Sequence, residues 1–144
     1  MKSNLHKSDF HAWTHSQVSL LKARQFTALD IESIVEELEN MGASERRQLI
    51  SRLAVLLAHL LKWQHQPSYR GRSWALTIKE QRRQLGRHLR DNPSLEARID
   101  EFLADAYGDA VLMAASETGL DEDAFPEMCP YAWTDIMDAN FLPN

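Results

Sequence analysis

His11-Ala12-Trp13-Thr14-His15 sets two imidazoles one helical turn apart, the i, i+4 spacing at which a single helix face can offer both to one metal ion. Two ligands are too few, and His59 is the candidate third, which would make His11, His15 and His59 a three-histidine set. No Glu follows the first His as it does in the zinc-protease motif, and an ordinary polar helix face explains His11 and His15 equally well. His59 is the more informative residue. It is the only polar side chain in Leu53-Ala54-Val55-Leu56-Leu57-Ala58-His59-Leu60-Leu61. A buried imidazole must find partners for its ring nitrogens or carry a desolvation cost. Glu36, Glu37 or Glu39, on a helix expected to precede this one and run antiparallel to it, could supply them, and Arg82 and Arg83 could meet the same carboxylates. Such a cluster reads first as a packing network and second as an acid/base site, with His59, Glu36 and Glu37 as its catalytic candidates.

A second constellation is basic and aromatic. Residues 70–90 hold seven Lys/Arg against one Asp/Glu, and Trp63, His65, Tyr69 and Trp74 stand at their start. Arg70, Arg72, Arg82, Arg83, Arg87 and Arg90 could contact phosphates. Residues 91–144 oppose that reading, with one Lys/Arg against thirteen Asp/Glu. The acidic segment is expected to pair with the basic one, inside the chain or between subunits, so nucleic acid is not the expected partner. Trp63, Trp74, Arg82, Arg83 and Trp133 are the candidate contact residues for a protein partner or a second copy. Cys129, before Pro130, is a single cysteine with no specific His partner, which points to a structural role.

These residues must be positioned by helices. The apolar run from Leu53 to Leu61 leaves no solvent face on a helix and marks a buried central element. Asp9 is placed to cap a first helix carrying Phe10, Trp13, Gln17, Leu20 and Leu21, ending near Arg24. Thr27-Ala28-Leu29-Asp30 has a capping-box form, opening a helix that Asn40-Met41-Gly42 should stop. The central helix then starts at Ser44 and ends or kinks at Pro67. A fourth helix follows with Trp74, Ile78, Gln81, Leu85 and Leu89 on one face. Asp91-Asn92-Pro93 stops it and starts a fifth, which closes at Thr118-Gly119. A short helix is expected from Pro130, and Phe141-Leu142-Pro143 should tuck against the body. No alternating Val/Ile/Thr run and no hairpin turn suggests a strand. The expected fold is all-α: a compact bundle of about five main helices around a buried central helix, with a short C-terminal helix.

The totals bound the class. A chain of 144 residues with 44% hydrophobic and 26% charged residues fits one globular domain, 1–144 with its core at about 8–143. A single cysteine excludes an intrachain disulfide and fits a reducing compartment. The polar stretch 1–10, with Lys2, His6, Lys7 and Asp9, is no signal peptide, and the apolar run is too short for a membrane span. A cytoplasmic protein away from membranes is expected.

Asp9-Phe10 with Trp13, Glu36-Glu37-Leu38, Gly42 before Ser44-Glu45-Arg46-Arg47, His59-Leu60-Leu61-Lys62-Trp63, Arg72-Ser73-Trp74, Glu80-Gln81-Arg82-Arg83, Pro93-Ser94-Leu95 and Cys129-Pro130 together resemble DUF29, a domain-of-unknown-function family common in cyanobacteria and some proteobacteria. The resemblance covers roughly residues 8–143. It implies a compact all-α fold and carries no activity, cofactor or catalytic residue onto any position. The functional expectation is a non-catalytic helical protein acting through protein contacts, with no cofactor. The alternatives are a metal-dependent hydrolase or transferase of the helical-bundle type using clustered His and Glu, and a nucleic-acid binder.

Overall fold

The computed structural model describes residues 5–144 and is all-α, with no strand among the described residues. The helices are α1 (Leu5–Ser8), α2 (Phe10–Lys22), α3 (Ile31–His65), α4 (Arg72–Asp91), α5 (Ile99–Thr118) and α6 (Trp133–Ile136). Short 3-10 turns at Phe26–Ala28, Pro67–Tyr69, Pro93–Arg98 and Glu122–Ala124 join them. The chain divides into two compact units, one ending at Ser44 and one spanning Glu45–Asn144. Lys2 lies outside the described residues.

In the first unit Asp9 caps α2 as its position suggests, its carboxylate accepting from the Ala12 amide at 3.1 Å. Arg24, at φ 57°, takes the left-handed conformation just past the helix end. Thr27 is not the cap of the next helix, because Phe26–Ala28 is a 3-10 turn. Asp30 does that work: Oδ1 accepts from the Ser33 amide at 3.3 Å and Oδ2 from the Trp13 indole at 3.1 Å. Gln17 Oε1 accepts the Asp30 amide at 2.9 Å, which accounts for a glutamine buried on the inner face of α2. His6 reaches Glu37 at 2.6 Å. Contacts from 13 to 30 and from 6 to 37 run oppositely along the chain, so α2 and the start of α3 are antiparallel.

Gly42 does not stop a helix. The two helices expected on either side of it are one helix, α3, of 35 residues. A glycine costs a helix interior about 1 kcal/mol relative to alanine, and Ala43, Ser44 and Glu45 continue the helix where a proline would have ended it. Ser44 is therefore an interior residue.

In the second unit α3 supplies the core. Leu49, Leu53, Leu56, Leu57, Leu60 and Leu61 are completely buried, each contributing about 1.5–3 kcal/mol by leaving water. Around them pack Ile78, Leu85 and Leu89 of α4, Phe102 and Tyr107 of α5, and Phe125, Tyr131 and Ile136 of the C-terminal segment. Ala106, Ala110 and Ala114 recur at every fourth residue of α5 and are fully buried, so small side chains line its inner face. Pro67 follows the last residues of α3, and Gly119 closes α5 at φ 77°, a left-handed conformation suited to glycine.

Candidate functional site

His59 is half-buried in α3, and its Nδ1–H donates to the Val55 carbonyl one turn back at 2.8 Å. Burial holds its imidazole below the ordinary value, opposed by that bond and by the charge of Glu117. Glu36, Glu37 and Glu39 lie on α3 itself and not on a separate preceding helix as expected. Glu37 is bonded to His6, while Glu36 and Glu39 are exposed.

His11 and His15 are exposed and meet edge to face, 5.1 Å between ring centroids. Among the described residues no three His, Cys, Asp or Glu side chains gather into a group suited to a metal ion. Arg82 is buried and donates to backbone: Nε to the Ile136 carbonyl at 2.7 Å, and one terminal nitrogen to the carbonyls of Phe141 at 2.8 Å and Asp135 at 3.4 Å. Its partners are therefore the carbonyls of the tail in place of glutamates. Arg83 is exposed, 3.9 Å from Glu80 on its own helix. Trp63 and Trp133 are half-buried against the core, with Arg70 over the Trp63 ring. The Trp74 ring carries the Lys62 ammonium at 4.9 Å. Burial pushes the Cys129 thiol up, so it is held as a neutral thiol, with a weak bond to the Tyr131 carbonyl at 3.6 Å.

Two features were not singled out from the sequence. The first is a polar cleft of about 560 Å³ in the second unit, walled by Glu45, Gln48 and Arg52 of α3 and by Gln84, Arg87 and His88 of α4. His88 is buried, and its Nε2 lies 3.0 Å from the Glu45 carbonyl and 3.4 Å from the Glu45 carboxylate. The signal for it was present, since each helix places these polar residues at helical spacing on one face.

The second feature is apolar. More than half of the large hydrophobic side chains exposed among the described residues precede residue 45. On α2 the buried Trp13 and Gln17 form the inner seam, and the next residue round from Gln17 is Val18, 47% exposed; Leu21 follows at 46%. The seam residues Asp30, just before α3, and Glu37, within it, are each followed by an exposed one, Ile31 at 56% and Leu38 at 61%, with Val35 between them. The offset from seam to stripe is about a quarter turn in the same chain sense on both helices. Because the helices run antiparallel, that places both stripes on the same side of the hairpin.

Fold and surface together describe a helical protein whose second unit holds a hydrophobic core and a polar cleft and whose first unit carries an exposed apolar hairpin face. The chain matches the family described as domain of unknown function DUF29 over residues 5–142, and it belongs to that family. No curated protein and no solved structure matches it. No helix among the described residues is long and apolar enough to cross a membrane.

Proposed function

We propose that this chain is a non-catalytic helical protein that works through protein–protein contacts, made by the apolar face of its N-terminal hairpin. The observation that carries the reading is the stripe of Ile31, Val35 and Leu38 beside Val18 and Leu21, each about half exposed. Exposed apolar area concentrated in this way marks a contact surface more often than scattered single side chains do. The charge of the flanks favours one kind of partner. Residues 32–40 carry Glu32, Glu36, Glu37 and Glu39 with no Lys or Arg, so the surface suits an amphipathic helix whose apolar stripe is edged by cations. The α2 of a second copy is a candidate: it holds one cation, Lys22, and no acidic residue.

A photoreactive residue placed at position 35 tests this in cells, with position 104, exposed on α5, as the control. Crosslinks to protein formed from 35 and not from 104 support the reading, and equal or absent crosslinking from both overturns it. Crosslinks to the chain itself identify the second copy as partner.

A further inference from the structure

We infer that the second unit holds a binding site for a small anionic amphiphile, a carboxylate with an apolar body, between α4 and the C-terminal segment. The observation is a cavity of about 630 Å³ in which Ala75 and Ile78 of α4 face Met137 and Leu142 of the tail. That volume is in the range of pockets that enclose small organic ligands, which are mostly apolar with a few convergent polar groups.

The charged groups here share one sign, and Asn140 is the neutral polar residue beside them. Lys79 and Arg83 stand one turn apart on the same face of α4, each following Ala75 by whole turns, and both line the cavity. Both are exposed at its rim, and among the described residues the carboxylate paired with Arg83 is the distant Glu80 at 3.9 Å. Arg82, the third cation of the wall, is committed to the carbonyls of Ile136 and Phe141 and fixes the tail in place over the cavity. No Asp or Glu lines the site. That absence is notable because the tail comes from residues 91–144, where thirteen Asp/Glu face one Lys/Arg. Asp138 makes its charge felt at Arg82 but is not part of the lining.

An apolar floor whose charged lining residues are all cationic selects against two kinds of ligand. A short carboxylate lacks the body that would displace water from Ala75, Ile78, Met137 and Leu142. A cationic amphiphile fills the floor and meets Lys79 and Arg83 as like charges. Only a molecule with both an apolar body and a negative end satisfies the whole site. The inference is independent of the hairpin contact surface.

Isothermal titration of the full chain with dodecanoate below its micellar concentration tests it, beside acetate and dodecyltrimethylammonium. Saturable one-to-one binding of dodecanoate, at least about tenfold tighter than that of the cationic analogue and with acetate silent, is the expected result. The surface variant K79E/R83E should lose about tenfold or more in dodecanoate affinity with unchanged helicity, and A75W, which fills the cavity, should abolish binding. Absence of dodecanoate binding, equal binding of the cationic analogue, or retention of wild-type affinity in K79E/R83E overturns the inference.

Discussion

Lys62 of α3 and Glu117 of α5 meet at 2.5 Å, the ammonium buried and the carboxylate half exposed. The same ammonium lies 4.9 Å above the Trp74 ring, so one cation from the middle helix is held by residues of both neighbours.

The asymmetry of burial makes the two halves of this pair unequal. Glu117→Gln leaves a buried ammonium with only the indole face and should cost about 2 kcal/mol, reduced from the fully buried case by the exposure of the carboxylate. Lys62→Met keeps the apolar stem, removes the charge, and should cost less. Urea unfolding of both single variants and the double variant measures the order; a larger loss in Lys62→Met would contradict it.

Arg82→Met removes donors from the carbonyls of Ile136 and Phe141 and frees the C-terminal segment. The expected loss is about 2–4 kcal/mol, since these are charge-assisted bonds to main-chain acceptors in a mostly buried setting. Limited proteolysis should cut after residue 130 faster in the variant than in the parent chain, and an unchanged cleavage rate would count against the role assigned to Arg82.

Gly42 sits inside α3, and a methyl group added there meets nothing within 4 Å. Gly42→Ala should therefore stabilise the protein by about 0.5–1 kcal/mol, because alanine loses less backbone entropy on entering a helix. Thermal unfolding reads this as a rise in midpoint. A fall would show that Gly42 is needed for something other than helical backbone.

Stability should also fall as pH drops through the ordinary histidine value of 6.5, for a reason located at His59. Burial keeps the folded imidazole neutral to lower pH, so between 6.5 and the depressed folded value the unfolded chain binds the proton and the folded chain does not. The loss begins near 6.5 and levels off once the folded form is protonated too. His59→Gln should flatten the thermal midpoint measured from about pH 7.5 to about pH 5.5; a slope identical to the parent's would remove His59 from the account.

The central helix was legible because nothing else explains Leu53 to Leu61: with no solvent face, the run had to be enclosed, and seven of its nine residues are buried. Asp9, Pro67 and Gly119 were legible because capping, a missing amide and a left-handed backbone are local effects. Gly42 misled for the converse reason. A glycine permits a helix end without requiring one, and only the flanking sequence decides. The partner of Arg82 was out of reach, since main-chain carbonyls carry no signature in the sequence and the tail lies more than fifty residues away. Trp63 and Trp133, expected at a contact surface from their chemistry, are partly buried and pack against the core. The polar cleft beside His88 was half legible: each helix shows its polar face at helical spacing, while the pairing of the two faces is a tertiary fact.

The tail held by Arg82 has an evolutionary consequence. Every hydrogen bond that the guanidinium makes goes to a peptide carbonyl, at Asp135, Ile136 and Phe141, and carbonyls are common to all residue types. Exposed positions of the tail outside the cavity lining, such as Ala132 and Thr134, can thus drift among relatives while the arginine preserves the route of the chain. Constraint should fall on position 82, on the inward-facing Ile136 and on the residues that line the cavity, leaving the rest of the tail surface as a place where descendants can differ without refolding.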